Sequence, residues 1–132
     1  MQRFLGRGLV VFIVSLLLLG GCAQGNGGDA AAKTVEAYLQ ALVDGNTDQM
    51  SNLSCKDWEQ QAMLELDSFQ GVEASLADAS CKLTGSEGDT SLVECQGKIQ
   101  ATYNNEQQEF DLGGRVYQVV KEGGDLRVCG YR

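Results

Sequence analysis

The sequence contains no histidine and no proline. Without histidine there is no commonest metal ligand, no side chain that ordinarily titrates near neutral pH, and no Ser-His or Cys-His nucleophile pair. Without proline, turns must rest on Gly, Asn and Asp. Basic residues are scarce, 10 against 18 acidic ones, for a net charge of −8. That balance argues against a nucleic-acid partner, whose phosphates require cations. The acids are scattered rather than blocked, which reads as a solvated surface. No apolar run is long either. The longest, Leu9 to Leu19 interrupted by Ser15, falls short of the about 20 residues a spanning helix needs.

What the N-terminus does contain is a pattern. Arg3 and Arg7 precede that apolar run, and Leu19-Gly20-Gly21-Cys22 closes it. Two cations, a short apolar core and small residues before a cut site make a secretory signal. The closing tetrad resembles the bacterial lipobox, in which the cysteine receives a diacylglyceryl group. The resemblance implies that residues 1–21 are a removed signal peptide and that Cys22 is the lipid attachment site and mature N-terminus. It also implies an extracytoplasmic protein anchored to the bacterial membrane. Each buried methylene contributes about 0.8 kcal/mol, and two chains hold where one is marginal. The alternative is an ordinary secretory signal cut near Ala23. Residues 22–29 then form the lipidated cysteine and a flexible, Gly-rich tether, and residues 30–132 a single domain. Losing Arg3 and Arg7 leaves eight basic side chains against eighteen acidic, a charge of −10, which argues against a second, polybasic contact with anionic lipid.

Four cysteines remain: Cys55, Cys81, Cys95 and Cys129. An even number in an exported chain implies two disulfides, with three possible pairings. Zinc sites use close pairs such as C-x-x-C, and these spacings are wide.

Asp29 to Asp44 predicts a helix capped by Asp29, with Ala31, Val35, Tyr38, Leu39 and Leu42 on one face and Gly45 at its end. Asn46 to Ser54 predicts a short helical turn capped by Thr47 or Asp48, with Met50 and Leu53 inward. Cys55 to Phe69 predicts another helix, with Trp58, Ala62, Met63, Leu66 and Phe69 on the apolar face.

From Val72 the period becomes two. Val72, Ala74 and Leu76 alternate on even numbers, whereas Cys81 and Leu83 fall on odd ones. This parity slip across Ala77 to Ser80 predicts a bulge in one long strand. Gly85 to Asp89 reads as a turn and Thr90 to Tyr103 as the next strand. Asn104-Asn105 is a two-residue hairpin turn, pairing Tyr103 with Glu106, Ile99 with Phe110 and Val93 with Val116. That register puts Phe110, Leu112, Gly114, Val116 and Val120 on the face of Ile99. Gly123-Gly124 makes the last turn before a strand from Leu126 to Tyr131, whose face the loop length leaves open.

This register also selects the disulfides. A hairpin centred on Gly88 sets Cys81 opposite Cys95, where α-carbons about 4.5 Å apart suit a bridge. Cys95 and Cys129 are separated by the intervening strand, about 10 Å across two strand spacings, beyond bridging range. Cys55 then pairs with Cys129.

Helices followed by four antiparallel strands in meander order predict an α+β domain, with N-terminal helices packed on a curled four-stranded sheet. The layout resembles the nuclear-transport-factor-two-like superfamily, the cone-shaped fold shared with ketosteroid isomerase and limonene epoxide hydrolase. The resemblance rests on Val35 to Asn46, similar to that family's opening helices, and on Gly124 to Val128, similar to its final strand. A cystatin-like sheet wrapped on one helix is the rival of nearly the same shape.

Enzymes of that superfamily work in the open end of the cone with a carboxylate inside an apolar pocket. The resemblance makes Asp67, Glu73 and Asp111 candidate carboxylates, Tyr103 and Tyr117 candidate donors and Arg115 a candidate cation. The register turns Asp111 and Arg115 away from the Ile99 face, and none of the six belongs to a catalytic motif. Gly113-Gly114 and Gly123-Gly124 open no helix and so are not phosphate loops. No cofactor is implied. The reading is a non-catalytic domain that binds a small apolar ligand or an envelope protein, with Trp58, Met63, Tyr103 and Phe110 lining the pocket. The alternatives are an enzyme of the ketosteroid-isomerase type using a pocket carboxylate, and a structural partner acting through the outer face of the sheet.

Overall fold

The computed structural model describes residues 27–132. The expected signal peptide, the expected lipid site Cys22 and the first part of the expected tether lie outside the described residues. Three helices precede five strands: α1 (Gly27–Asp44), α2 (Thr47–Leu53), α3 (Glu59–Ser68), β1 (Glu73–Glu87), β2 (Thr90–Tyr103), β3 (Glu106–Asp111), β4 (Val116–Glu122) and β5 (Asp125–Tyr131). The strands form one antiparallel sheet in the order β1-β2-β4-β5, and β3 pairs with the other half of β2. The helices cover one face of this curled sheet, as the α+β reading expects.

Helix α1 begins two residues ahead of Asp29, which stands in its first turn rather than at its cap. Gly28 packs directly beneath the Leu83 side chain of β1, which would have to shift to admit a Cβ there. The cap of α2 is Asn46, not Thr47 or Asp48; its Oδ1 accepts from the Gln49 amide at 3.1 Å. Helix α3 starts four residues later than the periodicity predicts. Ser54 forms a parallel bridge with Val128, and the Cys55 amide donates to the Val128 carbonyl at 2.9 Å. These bonds, with the Cys55–Cys129 disulfide, hold Ser54 and Cys55 against β5, and a turn over residues 56–58 leads into the helix. Val35, Tyr38, Leu39, Met50, Leu66, Val93, Val119 and Val128 form the centre of the core. Full burial of a side chain such as Leu66 stabilises by about 1.5–3 kcal/mol.

The predicted bulge in β1 is present: the register with β2 shifts between Ala77 and Ser80. It fits because residue 97 is glycine. A Cβ there would meet the Asp78 carbonyl oxygen at 2.5 Å, and the residue holds φ +97°. Beyond the bulge Cys81 lies opposite Cys95, bridged with α-carbons 4.1 Å apart. The Cys81 amide, on the open edge of β1, donates to the Glu36 carboxylate of α1 at 2.9 Å. The expected turn from Gly85 to Asp89 is shorter in fact. A second register shift between Leu83 and Gly85 lets β1 continue to Glu87, opposite Thr90. Cys55 and Cys129 form the other bridge, with α-carbons 5.1 Å apart.

The single strand expected after Asn104-Asn105 is two. Up to Asp111 the predicted register holds, with Ile99 opposite Phe110. After the break at Leu112 to Arg115, Val93 lies opposite Tyr117, not Val116. One extra residue is absorbed where Gly114 takes φ +84°, a conformation open to glycine. The slip turns Tyr117 and Val119 into the core in place of Val116 and Val120. In β5 the turn is the two-residue Gly123-Gly124, and Val128 faces inward. A further bulge before Tyr131 brings that residue opposite Tyr117.

Candidate functional site

Between the end of α3 and the broken edge of the sheet lies a recess of about 260 Å³. Its apolar walls are Leu42 of α1, Phe69 after α3, Ile99 of β2, Phe110 of β3 and Leu112. Phe69 and Phe110 meet edge-on with ring centres 5.8 Å apart. Tyr103, Ser68, Glu65, Asp111, Arg115 and Tyr131 supply its polar atoms. The volume sits just under the about 300 Å³ at which small-molecule pockets usually begin.

Glu65 is the centre of a bonded network. The Tyr131 hydroxyl donates to Glu65 Oε1 at 2.7 Å, and the Tyr38 hydroxyl donates to Oε2 at 3.1 Å. Trp58 Nε1–H in turn donates to the Tyr38 oxygen at 3.1 Å. The Trp58 ring meets Tyr131 edge-on at 5.6 Å, and Tyr117 packs against Tyr131 at 5.4 Å. Burial, reinforced by the Glu65 charge, raises the Tyr38 phenol far above its ordinary range. The same causes push Tyr131 up to about 12. Both hydroxyls therefore stay protonated and donate to the carboxylate.

Arg115 lies over the Tyr131 ring, its Cζ 4.7 Å from the centroid. Partial burial works against its charge, but the Tyr117 and Tyr131 hydroxyls and Glu65 outweigh that and raise its pKa. Tyr117 is 1 % exposed, and its hydroxyl, although near Arg115, has no partner in hydrogen-bond geometry. Burial raises Tyr117 as well, with the Arg115 charge opposing it.

The sequence candidates divide. Tyr103 and Phe110 line the recess, and Phe110 is 36 % exposed. Trp58 and Met63 are not among its lining residues; Trp58 acts behind it through Tyr38, and Met63 packs against the core. Arg115 was expected to face away from Ile99. The slip at Gly113-Gly114 reverses this, and Arg115 and Ile99 share the recess. Asp111 stands at the rim, exposed, with Oδ1 accepting from the Gly113 amide at 2.7 Å. Asp67 and Glu73 are exposed and outside the recess. Glu65 was missed. The sign was present: Trp58, Ala62, Glu65 and Phe69 recur at helical offsets, so this carboxylate occupies the apolar stripe itself.

No protein-family model matches the sequence, and no curated protein does. Solved structures match it in shape. An NTF2-like protein of unknown function from Pseudomonas putida shares 11 % identity at a TM-score of 0.52, covering 80 % of this chain and 83 % of its own. An epoxide hydrolase of the LEH-like type from M. tuberculosis shares 18 % at 0.51, over 80 % and 82 %. The β subunit of a proposed aromatic-ring-hydroxylating dioxygenase from Novosphingobium aromaticivorans shares 17 % at 0.55, over 80 % and 86 %. The helices on a curled five-stranded sheet are thus an NTF2-like, cone-shaped α+β fold. At these identities the likeness concerns the fold, and chemistry has to be argued from the recess.

Proposed function

We propose that this chain is a lipid-anchored extracytoplasmic binding protein whose domain takes a small apolar molecule in the recess and does not transform it. The observation that carries the reading is a recess with five apolar walls in which Glu65 is held by two tyrosine hydroxyls. A general base must be able to reach the proton it removes, whereas both Glu65 oxygens are tied to tyrosine hydroxyls, which fixes the carboxylate as part of the wall. Asp111, the other carboxylate at the rim, is exposed and bonded to the Gly113 amide. Both carboxylates build the site's shape and polarity. Five apolar walls supply the favourable burial. Anchoring rests on the leader of residues 1–21 and the cysteine that follows it, Cys22. Among the described residues no helix is long and apolar enough to cross a membrane.

The binding test is a calorimetric screen of fragment-sized apolar molecules, neutral, cationic and anionic, against the full chain in phospholipid nanodiscs, with empty nanodiscs as the blank. At least one should bind, and Ser68→Trp, which fills the recess from its exposed rim, should abolish that binding. A panel that fails entirely, or binds the variant equally well, overturns the reading. Mass spectrometry of membrane-extracted protein should find lipid on Cys22. An unmodified terminus at or beyond Ala23 would refute the anchor.

A further inference from the structure

The donors and acceptors around the recess are unevenly satisfied. Both Glu65 oxygens accept tyrosine hydroxyls, and Asp111 Oδ1 accepts the Gly113 amide. The cation is in the opposite condition. Among the described residues Arg115 has no ion pair and no hydrogen bond of ordinary geometry; its close neighbours are the face of Tyr131 and the Tyr117 hydroxyl. A guanidinium carries five N–H donors and no acceptor. Beside it the buried Tyr117 hydroxyl is also without a partner. The recess therefore offers unused donors against an apolar wall, and a ligand that completes it must bring acceptors.

We infer that the ligand is a small carboxylic acid with an aryl or branched alkyl body, its carboxylate on Arg115 and its body against Phe69, Ile99, Phe110 and Leu112. This rests on the binding reading above and specifies its ligand class. Guanidinium and carboxylate match in planar, two-pronged geometry, and such charge-assisted bonds are the strong ones. The size is consistent. A dry apolar cavity of about 150 Å³ holds benzene, so a recess of about 260 Å³ holds a ring with a short acid chain. Three features oppose an anion. Asp111 stands at the rim, exposed to solvent, with Oδ1 bonded to the Gly113 amide. The Glu65 charge is close, but two hydroxyl bonds delocalise and stabilise it in place. The acidic surface is more distant and is screened beyond about 8 Å at physiological salt.

The test is an isosteric charge series on the full chain in nanodiscs: hydrocinnamate, phenylpropanol and phenylpropylamine. Hydrocinnamate should bind at least about tenfold more tightly than the other two, the scale of one charge-assisted bond. Arg115→Met should reduce hydrocinnamate to the affinity of phenylpropanol while leaving the alcohol unchanged. Arg115→Lys, which keeps the charge and loses the fork, should recover part of the loss. If the alcohol or the amine binds as tightly as the acid, or Arg115→Met leaves the acid unaffected, this inference falls while the binding reading stands. If nothing in the series or the wider panel binds, both fall.

Discussion

Removing the Cys55–Cys129 bridge should destabilise the domain more than removing Cys81–Cys95. The two bridges join residues 74 and 14 apart. Restricting an unfolded chain over loops of those lengths stabilises the folded state by about 4.4 and about 3.0 kcal/mol at 25 °C in the chain-entropy model. The shorter loop is nested in the longer one, which shortens the effective outer loop to about 60 residues and lowers its contribution by only about 0.2 kcal/mol. The paired variants C55A/C129A and C81A/C95A place alanine where a hydroxyl would lack partners, so the comparison is chiefly between loops. At about 4–8 °C per kcal/mol for a domain of this size, the two melting temperatures should differ by about 5–12 °C. Thermal and urea unfolding followed by circular dichroism would measure it. The urea slope should rise in both variants, more in C55A/C129A, because the freed unfolded chain exposes more surface. Equal midpoints, or a lower midpoint for C81A/C95A, would refute the loop argument.

Alkaline pH should loosen the site. The Tyr131 and Tyr38 phenols titrate higher in the folded protein than their ordinary value, which is near 10. Their stabilisation is complete below about pH 10 and is lost as pH rises through 12 and above. In Glu65→Gln, tyrosinate absorbance should develop at lower pH because the neighbouring charge is gone; an unchanged curve would contradict the network. Gly97→Ala should cost more than the roughly 1–3 kcal/mol of a strained backbone alone, since its Cβ would strike the Asp78 and Ala77 carbonyls. Gly124→Ala is the control: it has a similar φ of +88° with nothing within 4 Å, and an equal loss of melting temperature there would sink the clash argument.

Local signals in the sequence carried the element types and much of the register. Asn104-Asn105 takes positive φ at both positions, so turn chemistry alone fixed Ile99 against Phe110. The parity change from Leu76 to Cys81 marked the β1 bulge because side chains on both sides of it report which face they occupy. The slip at Leu112 to Arg115 left no such mark: two of its four residues are glycines, with no side chain to betray parity. One hidden residue was enough to reverse Arg115, Tyr117 and Val119 together. Glu65 was illegible for another reason. A carboxylate on an apolar stripe becomes intelligible only when its partners are known, and Tyr38 and Tyr131 come from 27 and 66 residues away.

The length of α1 sets a direction for the whole molecule. Gly28, near the helix start, packs under Leu83, while Leu42, near its end, lines the recess. Fourteen residues at about 1.5 Å each separate them by roughly 21 Å. An anchor on the chain ahead of Gly27 would attach at the first end of that rod, a helix length away from the residue that lines the recess. Attachment and ligand entry would then use opposite ends of α1, so an anchored molecule could turn on its tether with the mouth of the recess still open to solvent.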